Sequence, residues 1–336
     1  MYTPDNNFRY YQYTPPVPPQ EGEKRQLRST ALRIGVVLLT LIASMQLIYP
    51  IVVVVLMSVG ILPQDALTAN MLGVDNTTFL TIYSVVYAIA MGVPLLIVAF
   101  GKNRVAPFSL SKPVRFDVAF LGIVGGVGCC MTANIITSYI LAFFEQFGIT
   151  APEAPEMMVN HPGSYFLNLF TIAVLPALLE EAVFRGCVLR LLRPYGDWFA
   201  IVVSAVVFGL MHGNLRQIPF ATIVGLVLGL LYVITNNIWI PVTVHFINNA
   251  VSVSMEYLGF SLSENTVGVF YTLLILALAF VGLSAGVVLM IARRRYLRLQ
   301  PNTTHLSGGE RYGTLLKAPT FLIALILYVV LTVLGM

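Results

Sequence analysis

The sequence predicts an all-α protein, a polytopic membrane helical bundle of about nine transmembrane helices. Three observations predict it. First, 57% of the 336 residues are hydrophobic and only 10% are charged, with a mean hydropathy of +0.83. Soluble domains carry roughly 25% charged residues, so an ordinary soluble enzyme, a disordered chain and a coiled coil are all excluded. Second, apolar runs long enough to cross ~30 Å of hydrocarbon recur along the chain. Third, the basic residues sort onto alternate connections between those runs.

Taken in order, residues 1–30 are a polar tail rich in Tyr, Pro and Gln (Tyr10, Tyr11, Gln12 and Tyr13, then Pro15 and Pro16). It has no apolar periodicity and reads as a disordered cytosolic terminus. The first apolar run follows it and is too long for the h-region of a cleavable signal peptide. Spans are expected at roughly 31–60, 77–100, 116–144, 164–193, 198–214, 217–235, 238–257, 266–292 and 318–335. In the third, Gly122, Gly125, Gly126 and Gly128 allow close helix approach, as do Gly225 and Gly229 in the sixth. Pro176 removes one hydrogen bond from the fourth and is expected to kink it. Asn236 and Asn237 read as the turn between the sixth and seventh. The domains are then the tail 1–30, membrane helices 1–3 over 31–163, a core of spans four to seven over 164–258, and membrane helices 8–9 over 259–336.

Seventeen of the 19 Lys and Arg residues fall on one side of this arrangement. They are Arg9, Lys24, Arg25, Arg28 and Arg33, then Lys102, Arg104, Lys112 and Arg115, then Arg190 and Arg193. Arg293, Arg294, Arg295, Arg298, Arg311 and Lys317 complete the set. Arg216 alone falls on the other side, and Arg185 lies within a span. By the positive-inside rule the N-terminus is cytosolic and the C-terminus outside, and a bacterial plasma membrane is the expected location. The net charge of +4 is thus a record of topology, and no nucleic-acid partner is expected. Cys129, Cys130 and Cys187 lie in apolar stretches and form neither a disulfide framework nor a zinc pattern.

An ionisable group inside a span is costly, about 2.5–3.5 kcal/mol on insertion scales, and by default marks function. Three spans carry such polar groups. The fourth holds Glu180, Glu181 and Arg185; the fifth ends at Phe208 and His212; the seventh holds His245 and Asn249. Glu181 and Arg185 are four residues apart and can pair on one helix face, while Glu180, one residue away, points elsewhere. This set suits water activation. A carboxylate in an apolar site acts as general base, and histidine shares the water and passes its proton on. A second histidine and an asparagine amide can donate to an oxyanion. One Glu and two His (Glu180, His212, His245) are also a set that holds catalytic zinc in some hydrolases. The H-E-x-x-H spacing is absent, so zinc or another divalent metal stays an open alternative. Plainer readings stand beside these: Glu181–Arg185 as a buried strut, His212 as a helix C-cap before Gly213, Glu256 at a solvated rim, and His161 and His305 in loops.

E-E-x-x-x-R at 180–185, F-x-x-x-H at 208–212 and H-x-x-x-N at 245–249 together resemble the CPBP family of intramembrane proteases. That family includes the type II CAAX prenyl endopeptidases and bacterial relatives. The resemblance covers about residues 164–258. It implies a four-helix catalytic core with Glu180 as general base, His212 assisting it, and His245 and Asn249 as the oxyanion site. Glu181, Arg185 and Phe208 would support them. It implies an intramembrane peptidase, of glutamate or metallo type, acting on membrane-associated or lipidated peptides, with the lipid bilayer as its other partner. The glutamate mechanism requires no cofactor. Substrate is expected to enter from the cytosolic side. The alternatives are a non-catalytic regulatory or bacteriocin self-protection protein and a proton-coupled transporter. No repeated half with paired broken helices favours the transporter.

Overall fold

A computed structural model describes residues 19–100, 106, 111–149, 162–260, 262–297 and 304–334. Tyr10–Pro16 of the tail, Lys102, Arg104, His161 and Arg298 lie outside the described residues. The helices are α1 (Pro19–Ser58), α2 (Asn76–Phe100), α3 (Phe116–Glu145), α4 (Ser164–Tyr195) and α5 (Asp197–Met211). Then come α6 (Gln217–Thr235), α7 (Trp239–Gly259), α8 (Glu264–Ala292), α9 (Gly308–Leu316) and α10 (Pro319–Leu334).

Each of the nine expected spans is a helix. The first corrects the sequence reading, because α1 starts at Pro19 rather than near residue 31. Proline is tolerated in a first turn, where its missing N–H costs nothing. Leu27 and Ala31 are fully buried, so the polar stretch after Pro19 has an apolar stripe to dock. α1, α2, α3, α4, α6 and α8 are each long and apolar enough to cross a membrane. α9 and α10, which meet at 79°, do so only as a bent pair. Length and composition therefore support six or seven crossings by themselves. The two remaining helices are the histidine bearers. α5 has 15 residues, and α7 has 21 but is diluted by His245, Asn248 and Asn249.

α4 runs through the interior, touching α2, α5 and α7. α1 packs on α2 and α10; α3 packs on α6, α7 and α8. Without a solvent driving force between spans, association depends on close packing. A Cβ on Gly125 would stand 3.1 Å from the Cα of Gly286, and one on Gly128 would strike the backbone of Gly282. The glycines of α3 thus meet those of α8. Gly225 lies likewise against Ala205 of α5, 3.0 Å from a Cβ built there.

The basic segments gather at one end. Lys112 and the Asn236–Asn237 turn bond each other's backbone, and Arg193 donates to Asn236 at 2.6 Å. Arg115 and Arg293 share Asp117, and Arg311 donates to the carbonyl of Tyr195. Glu23 accepts from His305 and Thr304, and Lys24 pairs with Glu310. One face of the bundle therefore carries the described basic loops, as the alternation of charge along the sequence requires.

Candidate active site

The site starts from an irregularity in α4. Leu169–Val174 and Phe184–Leu189 are π-helical, and the α-helical residues between them, Leu175–Val183, carry Glu180 and Glu181. π-Segments are rare and concentrate at functional sites. A wider turn frees backbone carbonyls, and neighbouring helices take them up. Pro176 has no N–H for the carbonyl of Ile172, four residues earlier, and Asn249 of α7 donates its amide to that oxygen at 3.0 Å. Ser204 of α5 donates to the carbonyl of Phe184 at 2.9 Å. The proline expected to kink the span thus works through a π-turn held from outside.

Glu180, Glu181, Arg185 and His245 are all brought together and buried. One oxygen of Glu181, Oε1, accepts from Arg185 at 2.9 Å and from Nδ1 of His245 at 2.9 Å. Arg185, without solvent exposure, also donates to the carbonyl of Gly225 at 3.1 Å and lies 4.5 Å above the Phe208 ring. A cation over an aromatic face is attracted by the ring quadrupole. Because Glu181 accepts at Nδ1, His245 carries its proton there and turns Nε2 toward Glu180. That nitrogen stands 3.9 Å from Oε2 of Glu180.

A cavity of about 400 Å³ adjoins these groups, lined among others by Glu180, Phe208, His212, His245, Asn248 and Asn249. His212 is half-buried, with Nδ1 3.0 Å from the Phe208 carbonyl, so its Nε2 is left for the cavity. Phe208 packs edge-on against both histidines, with centroids 5.1 and 6.0 Å away. It is the shared wall of the site. Asn249 is in place, but its amide is engaged at Ile172, and its Oδ1 accepts from Asn248 at 3.1 Å.

Two features were not read from the sequence. Tyr87 of α2 donates its phenol to Oε1 of Glu180 at 2.6 Å. The chain has 16 tyrosines, and nothing in the spacing of this one distinguishes it. The second is direction. Met211, His212 and Gln217, at the α5–α6 junction, border the cavity. That junction is the end of both helices opposite the basic face, so the cavity runs toward that end and not, as expected, toward the basic one.

Glu180, His212 and His245 are the set that the sequence offers to a divalent metal. Among the described residues no three His, Cys, Asp or Glu groups stand together in a way that would hold an ion. The three side chains line one cavity but do not form such a cluster.

Fold and site define a class: a polytopic helical membrane protein with a carboxylate–histidine centre buried between its spans. Residues 162–251 match the family model described as type II CAAX prenyl endopeptidase Rce1-like. The segment that carries Glu180, Glu181, Arg185, Phe208, His212, His245 and Asn249 is thus similar to an Rce1-like domain of the CAAX protease type. "Putative membrane peptidase YdiL" of Bacillus subtilis (strain 168) is 26% identical over 133 residues, 36% of this chain and 54% of the relative. "Membrane-embedded CAAX protease MroQ" of Staphylococcus aureus (strain USA300) is 29% identical over 98 residues, 27% of this chain and 40% of the relative. The matches span about half the length of these curated relatives or less. No solved structure matches the chain.

Proposed function

We propose that the protein is an intramembrane endopeptidase of the CAAX-protease type. It hydrolyses peptide bonds in membrane-associated or lipidated peptides with water activated by glutamate and histidine. The observation that carries this reading is the 3.9 Å gap between Oε2 of Glu180 and Nε2 of His245, beside a cavity within an apolar bundle. The gap is too long for a hydrogen bond and suits a single bridging water. Among the described residues Oε2 accepts no hydrogen bond from the protein.

Glu180 takes a proton from that water as its oxygen bonds to the scissile carbonyl carbon. The C–N bond then breaks, and the proton passes from Glu180 to the leaving amine. His212 presents Nε2 to the same space and assists. His245, with Nδ1–H held by Glu181, accepts at Nε2 while neutral. There it accepts a hydrogen bond from the bridging water, and Glu181 fixes the orientation of the ring. Asn249 retains one amide hydrogen for the oxyanion. With the basic face cytosolic, the N-terminus is cytosolic too, and substrate enters from the opposite end, by the α5–α6 junction. The bacterial relatives point to a bacterial plasma membrane.

The test is cleavage of a peptide library by the purified full chain, with and without chelator. Glu180→Gln, His212→Ala and His245→Ala are each expected to abolish cleavage while the protein remains inserted. Wild-type cleavage is expected to survive the chelator. Activity retained by Glu180→Gln removes the assigned base, and activity lost to the chelator moves the reaction to a metal.

A further inference from the structure

The two oxygens of a glutamate are chemically equivalent until something tells them apart. Here something does. Tyr87 is 8% exposed, and its hydroxyl lies 2.6 Å from Oε1 of Glu180, the short distance of a charge-assisted O–H···O bond. Two contacts of α2 set its position. Ser84, one turn earlier, is bonded to Thr171 of α4 at 2.6 Å and ties the two helices together. Tyr83 stacks on Tyr87, with planes 17° apart. Both tyrosines line the cavity. α2 lies wholly outside the matched segment 162–251.

We propose that Tyr87 is a positioning residue for Glu180: by holding Oε1 it turns Oε2 toward His245 and makes Oε2 the oxygen that takes the proton from water. This rests on the hydrolytic reading above. A carboxylate rotates freely about its last torsion, which is broad and two-fold. Without the phenol the base would lose its aim but not its chemistry. α2 is therefore part of the site, and the matched segment alone does not contain everything that orients its base.

The experiment measures steady-state cleavage by the full chain in proteoliposomes for wild type, Tyr87→Phe, Glu180→Gln and Tyr232→Phe. Tyr232 is a buried phenol on α6 away from the cavity and controls for removal of a buried hydroxyl. Tyr87→Phe is expected to lower kcat on the order of 10²-fold, with KM within about twofold, since a positioning loss acts on the reacting geometry. Its melting temperature should fall somewhat, since Oε1 loses its donor, while Tyr232→Phe, whose hydroxyl has no hydrogen-bond partner among the described residues, keeps wild-type kcat and KM. A wild-type kcat in Tyr87→Phe beside an inactive Glu180→Gln overturns the inference alone. So does a raised KM with kcat unchanged, which would make Tyr87 a pocket wall only. Wild-type cleavage by Glu180→Gln overturns the hydrolytic reading and this inference with it.

Discussion

Oε1 of Glu181 accepts from a guanidinium and an imidazole at once. That makes Glu181 a junction, with its neighbour Glu180 left to face the cavity. The pair Glu181–Arg185 has no solvent exposure on either side chain, so removing one partner strands a buried charge. Arg185→Leu is expected to destabilise the protein by about 3–5 kcal/mol, seen as a lower melting temperature in detergent. Glu181→Leu combined with Arg185→Leu should recover most of that loss while activity stays impaired, because His245 has lost its orienting acceptor. These residues were legible in the sequence because a charge inside an apolar span is expensive and has few reasons to be there. Tyr87 was not, because a phenol in a span costs little and looks like any other aromatic. The engagement of Asn249 at Ile172 was hidden too. It depends on a carbonyl freed by Pro176, which only the packing of α7 on α4 reveals.

At the scale of elements, each of the nine expected spans is a helix, while the first turns of α1 and the whole of α9 were not expected. Apolar runs and polar loops are long-period features that survive local irregularity. The π-segments of α4 were not legible. A π-turn inserts a residue without altering the apolar composition, and only the backbone pairing shows it. These segments set the rotation of the turn bearing Glu180 relative to the rest of the helix. Deleting one residue from 169–174 should restore an α-helical turn and swing the distal half of α4 by about 100° per residue. Loss of cleavage with the chain still inserted is the expected result. The glycines, by contrast, were read correctly as packing. A side chain at Gly282 meets the backbone of Gly128. Gly282→Leu is expected to cost roughly 1–3 kcal/mol through overpacking, measured as a lowered melting temperature. Since neither Gly128 nor Gly282 lines the cavity, KM should hold for the molecules that remain folded.

At the scale of the whole molecule, the chain closes on itself at its basic face. The first turns of α1 meet the segment leading into α9 through Glu23–His305 and Lys24–Glu310. Glu310 stands in the first turn of α9, partly exposed at this basic face and ahead of the apolar run that begins at Pro319. There the backbone N–H of Ser307, first, and then Lys24 hold the carboxyl of Glu310 down to about 2. A carboxyl held low contributes stability that is complete above its ordinary value near 4.5 and is lost as pH falls through about 2. Acid-active pepsin should therefore begin to cut around residues 304–316 as pH is lowered from 4 to 2. In Glu310→Gln cutting there should already occur at pH 4 and change less with pH. The clamp was only half legible, because the tail was read as disordered up to residue 30 and its partners lie almost the whole chain length away.

α5 has a consequence of another kind. Its 15 residues measure ~22 Å at 1.5 Å per residue, against ~30 Å of hydrocarbon in an average bilayer. The helix ending at His212 is thus mismatched to its solvent, and lipid must thin, or the junction must sink, to cover the difference. Acyl-chain length becomes a control on the proposed cleavage: short-chain lipids should favour turnover, and long-chain lipids should slow it without any change in sequence.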